Sequence, residues 1–226
     1  MNPYSKAIPA KSPWEEAYAR FETPEAEIAK FIRRLRSFGV ERWNRESRIV
    51  ELFCGRGNGL HAWTRLGFRH VTGVDLSPAL LNEYQGEATC VVADCRELPL
   101  ESHAVDVVIV QGGLHHLIDL PTDLEAVLCE MRRLLAPQGC VVIVEPWLTP
   151  FLAFVHLCCR RRRLRCVWPK LAALATMIEH EQATYENWLS RPDQILNLLH
   201  SHFAPLKSNV AWGKLSFLGA SPTRGE

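Results

Sequence analysis

One short stretch constrains this chain more than any other. Ile49-Val50-Glu51-Leu52-Phe53-Cys54-Gly55-Arg56-Gly57-Asn58-Gly59-Leu60 runs from an apolar, β-rich segment into a glycine-spaced loop and then into a helical pattern. Glycines let a backbone turn tightly and let a ligand approach it closely. The next apolar segment, Val71-Thr72-Gly73-Val74-Asp75, ends in a carboxylate. In a strand–loop–helix–strand unit, an acid at that place accepts hydrogen bonds from a ribose diol. A dinucleotide loop has the spacing Gly-x-Gly-x-x-Gly, which requires glycine at position 60. This chain has Leu60 there and Gly59 one place early. A cofactor with a nucleoside and no pyrophosphate fits better, and a nicotinamide enzyme is disfavoured.

The same alternation continues along the chain. Arg48–Phe53, Val71–Asp75, Ala88–Ala93, Val105–Gln111 and Cys140–Glu145 read as short buried strands. Pro24–Phe38, Ser77–Tyr84 and Asp119–Leu135 read as helices, the first capped by Thr23 and stopped by Gly39. Continuous apolar strands alternating with helices predict a parallel sheet covered on both faces. Phe203–Val210 and Lys214–Ala220 flank Trp212-Gly213 and predict a terminal antiparallel hairpin. Between the fifth strand and this pair lie helical segments at Phe151–Arg163, Lys170–Leu189 and Pro192–His202. They are too short to enclose a core of their own and read as a cap. The expectation is an α/β, Rossmann-like seven-stranded mostly parallel sheet with a C-terminal antiparallel hairpin and a helical cap insertion. As one domain over 1–226, it divides into an N-terminal helical segment (1–47), a cofactor-binding core (48–147), the cap (148–202) and the closing hairpin (203–220).

Composition narrows the partners. The chain has 226 residues and is 47% hydrophobic, enough for a sizeable core. Lys+Arg is 26 against Asp+Glu 25, a formal +1, which excludes a globally basic nucleic-acid coat and a strongly acidic chain. No apolar run reaches membrane-spanning length, and Met1-Asn2-Pro3-Tyr4-Ser5-Lys6 opens no signal core, so a cytoplasmic location is expected. The 8 cysteines form no Cys-x-x-Cys pair and no zinc-site spacing, and no metal is expected. Most lie in apolar runs such as Thr89-Cys90-Val91-Val92, which predicts buried free thiols.

Four further motifs follow the glycine loop in order. They are Asp75-Leu76-Ser77; Val92-Ala93-Asp94-Cys95 with Leu98-Pro99-Leu100; Asp106-Val107-Val108 leading to Leu114-His115-His116-Leu117; and Leu134-Leu135-Ala136-Pro137-Gln138-Gly139. With Glu51, Gly55, Gly57 and Gly59, they resemble the class I S-adenosylmethionine-dependent methyltransferases of the type 11 small-molecule group. The resemblance covers about Arg48 to Trp147, and the closing hairpin is similar to that family's sixth and seventh strands. It implies S-adenosyl-L-methionine as cofactor. It further implies that Gly55 and Gly57, with Gly59 in the same loop motif, pass the methionine part along their backbone. Glu51 orients the loop and the amino group, Asp75 holds the ribose, and Leu76 lies beside the adenine. Asp94 accepts from the adenine amino group, the Cys95 backbone touches the ring, and Gln111 sits near the methionine end.

A sulfonium methyl is already activated, so alignment in a dry site does most of the work, and a base is needed only for an acceptor with a high pKa. His115 and His116 follow the fourth strand where ligands bind in open α/β sheets, and they are the candidate catalytic residues. The alternative is that they brace the loop. Glu145 is a second candidate. The loop after the fourth strand reads Gln111-Gly112-Gly113 and lacks the Asn/Asp-Pro-Pro-aromatic motif used on exocyclic base amines. The expected acceptor is therefore a small or lipid-like molecule and not nucleic acid. From Pro146 to Ile178 there is no acid, while Arg160, Arg161, Arg162, Arg163, Arg165 and Lys170 follow the apolar run Trp147–Cys159. This pattern suits peripheral membrane contact through 147–170, or a cap helix with its arginines in water. Trp14, Tyr18 and Phe21 either fold over the cofactor or lie loose. Tyr185 and Trp188 either pack the cap or wall a pocket. Two rival functions remain: a catalytically silent cofactor-binding module acting through a partner, and an RNA- or protein-modifying enzyme gripping a polyanion through Arg160–Arg163.

Overall fold

Strands as apolar as these must be covered on both sides, and helices do so here. The computed structural model describes residues 13–221. The strands are β1 (Arg48–Leu52), β2 (His70–Asp75), β3 (Thr89–Val92), β4 (Val105–Gln111), β5 (Leu135–Pro146), β6 (Ala204–Ala211) and β7 (Lys214–Ala220). They form a 7-stranded sheet in the order β3-β2-β1-β4-β5-β7-β6. Strands β1 to β5 pair in parallel, and β7 runs antiparallel to both β5 and β6. The sheet and its closing hairpin match the sequence expectation.

Alternate residues of each central strand point to opposite faces. Ile49, Val71, Val107 and Ile109 meet the helices α2 (Pro24–Ser37) and α3 (Asn58–Arg65) through Phe31, Leu35, Leu60 and Trp63. Val50, Leu52, Val108 and Ile143 meet α5 (Thr122–Leu134) and α10 (Pro192–His202) through Leu124, Leu128, Ile195 and Leu199. Thr23 caps α2 by accepting from the Ala26 N–H, which satisfies one of the helix's free donors.

Local departures from the expected elements have local causes. The helix read over Ser77–Tyr84 is only α4, Pro78–Leu81. The Tyr84 hydroxyl then accepts from the Ala88 N–H at 3.2 Å and fixes the exit toward β3. Strand β5 starts at Leu135, which pairs with Val105, and the expected turn survives as a break in that register before Cys140.

The cap is more broken than its sequence pattern suggests. Its helices are α6 (Pro150–Cys159), α7 (Arg162–Val167), α8 (Pro169–His180) and α9 (Gln182–Leu189). The opening segment forms α1, Pro13–Phe21, which lies along α8. Trp188 is fully buried; its indole N–H donates to the Pro146 carbonyl at 2.9 Å and pins the cap to the end of β5.

The cysteines correct one expectation. All 8 are free, but only Cys54 and Cys159 are buried, while Cys90, Cys129 and Cys166 are exposed. Cys90 lies on β3, an edge strand that no helix fully covers.

Candidate active site

Where a strand order reverses, the chain leaves neighbouring strands in opposite directions and opens a crevice at their carboxyl ends. Here that point lies between β1 and β4. A cavity of about 720 Å³ opens there. Glu51, Gly55, Asp75, Leu76, Asp94, Cys95, Gln111, His115 and His116 line it from the sheet side. Trp14, Tyr18 and Phe21 from α1 line it too, so the opening segment does fold over the site.

The three predicted glycines have different jobs. At Gly55 (φ 53°) an added Cβ would meet nothing within 4 Å, so its backbone faces open cavity. At Gly57 a Cβ would stand 2.3 Å from the Tyr84 ring, and at Gly59 1.9 Å from Glu51 Oε1. Neither lies in the cavity wall. The first lets the loop pass Tyr84, and the second lets α3 pack against a buried carboxyl.

That carboxyl has an unusual setting. Burial pushes Glu51 up to about 7. Its Oε2 and the Nε2 of Gln111 are buried without hydrogen-bond partners. Gln111 Oε1 accepts from Arg34 Nη1 at 3.1 Å. Asp75 accepts from the backbone N–H of Gly55 at 2.8 Å and of Ser77 at 2.9 Å, one on each oxygen. Each oxygen keeps a further lone pair. Leu76 is 69% exposed along the cavity. Asp94 is less free than expected, because Arg96 pairs with it at 2.6 Å and with Asp123 at 2.8 Å. Burial pushes the Cys95 thiol up to about 12, so it is no thiolate nucleophile.

At the other end of the cavity stands a cluster of histidines and carboxylates. Glu145 is fully buried and accepts from the N–H groups of Gly113 and Leu114 through Oε1, at 2.8 and 2.9 Å. Its Oε2 holds His115 Nδ1 at 2.8 Å. His115 Nε2 stands 3.7 Å from Glu181 Oε2, and His116 Nδ1 stands 3.9 Å from Glu181 Oε1. Burial would lower the His115 imidazolium, but Glu145 and Glu181 outweigh it and raise it to about 9. Burial and the neighbouring His115 lower His116.

Sequence reasoning missed several wall residues. Glu181 lies at the break between α8 and α9, where the sequence reads as one helix. Lys30 and Arg34 carry no signal beyond ordinary charges on an amphipathic helix, and Lys214 none beyond a strand end. All three reach the cavity, where burial pushes Lys214 down to about 8. Behind the histidines a second cavity of about 360 Å³ lies in the cap, lined by Leu148, His156, Ile178, Tyr185 and Leu189.

Comparison with known proteins places the chain among similar sequences and folds. Residues 50–143 match the family described as methyltransferase domain. Over that stretch the chain is similar to the class I S-adenosylmethionine-dependent methyltransferases. It is 28% identical over 149 residues to the ubiquinone/menaquinone biosynthesis C-methyltransferase UbiE of Geotalea daltonii, covering 56% of this chain and 62% of that protein. It is 23% identical over 175 residues to the enzyme of the same name from Campylobacter jejuni, covering 72% of each. The crystal structure of the PH0226 protein from Pyrococcus horikoshii OT3 shares the fold, with a TM-score of 0.69 at 17% identity, covering 94% of this chain and 100% of that one.

The cavity suits the cofactor of this family. The partnerless Glu51 oxygen can accept from an ammonium group, and the partnerless Gln111 amide can donate to a carboxylate. The backbone at Gly55 is open to the cavity, and Asp75 keeps acceptor capacity for a diol. S-adenosylmethionine carries all of these groups.

Proposed function

We propose that this chain methylates a small, apolar, quinone-like acceptor. The observation that supports this reading is one continuous cavity with two unlike ends, an acidic and glycine-faced end at Asp75 and Gly55 and a histidine end at His115 and His116. When bound, S-adenosylmethionine supplies a methyl group on a positively charged sulfur, ready for in-line displacement. Asp75 holds the ribose diol. Glu51 and Gln111, with Arg34 behind the amide, fix the amino-acid end. Gly55 lets that end pass close to the backbone, while Gly57 and Gly59 shape the loop. Leu76, Asp94 and Cys95 border the base. Holding the two reactants in register supplies most of the rate, since effective molarities reach about 10⁵ M or more. His115 and His116 meet the acceptor, and the cap cavity beside Tyr185, walled by Leu148, Ile178 and Leu189 with Arg160, Arg165, Glu179 and Glu186 also in its lining, takes its tail. In this division 48–147 holds the cofactor, 13–47 and 203–220 close its end, and 148–202 covers the acceptor.

The names of the similar bacterial enzymes support a quinone-like acceptor. Such molecules partition into lipid, and the cap offers a face for reaching them. Phe151, Phe154, Leu157, Val167 and Trp168 are exposed there, next to Arg160–Arg163. No helix among the described residues is long and apolar enough to cross a membrane.

Calorimetric titration with S-adenosylmethionine and S-adenosylhomocysteine tests the cofactor site. Micromolar binding is expected, weakened by about tenfold or more in Asp75→Ala, the equivalent of about 1.4 kcal/mol. No binding to either ligand overturns the reading. Binding without methyl transfer to any quinone, quinol or prenylated phenol favours instead the module that acts through a partner.

A further inference from the structure

We propose that His115, His116 and Glu181 form a binding site for one divalent transition-metal ion, of the zinc type, facing the acceptor end of the cavity. The three side chains offer ligand atoms that all lie within 4.8 Å of one another. The distances from Glu181 to His115 and His116, 3.7 and 3.9 Å, are too long for hydrogen bonds. They are close to the separation of ligands around a shared ion. Bonds of about 2.1 Å in a tetrahedron set their ends about 3.4 Å apart. Two imidazoles and one carboxylate are a known ligand set for zinc sites that keep a fourth position open.

A second observation points the same way. Metal-binding histidines commonly give their other ring nitrogen to a carboxylate, which fixes the tautomer and turns the free nitrogen to the ion. His115 does this through Nδ1, held at 2.8 Å by Glu145. Glu145 is itself fixed by the N–H groups of Gly113 and Leu114. The Nε2 of His115 is left facing Glu181. Among the described residues Glu145 and Glu181 pair with the histidines and with no lysine or arginine. An ion bound at Nε2 takes the place of the proton that His115 holds between the two carboxylates.

The site spans two parts of the chain. The loop after β4 supplies the histidines, and the junction of α8 and α9 supplies the carboxylate. It is complete only with the cap docked. Resting on the methyl-transfer reading, the open position takes a hydroxyl or carbonyl oxygen of the acceptor and orients its ring toward the cofactor end. A second group, Glu125, Cys129 and His202, is a weaker candidate and a useful control, because His202 Nε2 is already held to Glu125 at 2.9 Å.

The test uses the full chain without cofactor or acceptor. Zn²⁺ is measured by equilibrium dialysis, and Co²⁺ by its visible absorption bands. One equivalent of each is expected, at micromolar affinity or tighter. Binding falls by about tenfold or more in both His116→Ala and Glu181→Gln and is unchanged in Cys129→Ala. No stoichiometric binding, binding that survives both first variants, or binding lost with Cys129→Ala overturns the proposal. Thermal unfolding checks each variant; if one fails to fold, the other and the wild-type cobalt spectrum still decide. Titration with S-adenosylmethionine in parallel separates the two readings. Cofactor binding without metal binding sinks this site alone, and metal binding without cofactor binding sinks the methyl-transfer reading alone.

Discussion

Glu51 carries its carboxyl on a central strand, buried and pushed from an ordinary 4.5 up to about 7. Burial dominates, against the downward pull of the neighbouring Gln111 amide, the Trp63 indole N–H and Arg34. Between these two values the folded chain keeps a proton that the unfolded chain has released. Stability therefore falls as pH rises through that window and levels off above it. Glu51→Gln removes this slope, which urea midpoints at the two ends of the window would measure; an unchanged slope assigns it to another group. Gly59→Ala tests the same packing. Its Cβ would stand 1.9 Å from Glu51 Oε1, inside a carboxyl that cannot swing into water. Overpacking of this kind costs about 1–3 kcal/mol. Combining Gly59→Ala with Glu51→Gln should leave the clash in place, since the amide has the same size.

At the scale of elements, the cap depends on a few anchors. Trp188 fills the space between α9 and β5, stands against Trp147 at 6.3 Å and donates to Pro146. Truncating a buried aromatic of this size costs about 3–5 kcal/mol. Trp188→Ala should lower the urea midpoint accordingly and loosen the junction that carries Glu181. Hydrogen exchange in α8 and α9 would then rise while the amides of β1 and β4 stay protected; equal loss in both places would mean that cap and sheet unfold as one unit. The junction itself was not legible in the sequence. Lys170–Leu189 reads as one helix because its apolar residues keep helical spacing, and the break at Glu181 leaves no glycine or proline signal. By contrast, Thr23, Pro24 and Gly39 marked the ends of α2 correctly, because capping is a local event.

For the whole molecule, the most exposed apolar face lies on the cap. Phe154 is 62% exposed, Val167 84% and Trp168 61%, on a segment whose sequence has no acid between Pro146 and Ile178. Arg165 pairs with Glu179, but Arg161, Arg162 and Arg163 appear in no ion pair among the described residues. Binding to phosphatidylglycerol vesicles is expected, weakened by salt and absent on neutral phosphatidylcholine. Phe154→Ser and Arg162→Glu should each reduce it in a sedimentation assay. Equal binding to both vesicle types, or to neither, would leave the cap face without this role. Steeply salt-dependent RNA binding in its place would revive the polyanion grip.

By itself the sequence determined the sheet, the glycine loop, the acid beside it and the cofactor class. These depend on residues close together in the chain and on the two-residue and helical periods of local backbone geometry. Five strands, the closing hairpin and the order Glu51, Gly55, Asp75, Gln111 around the cavity were legible for that reason. Only the tertiary structure decided which glycine faces the cavity, that Arg96 occupies Asp94, and that Arg34 reaches Gln111. It alone set Glu181 beside His115 and His116. Contacts between residues so far apart in the chain follow from how the cap closes over the sheet, and no spacing in the sequence encodes that closure.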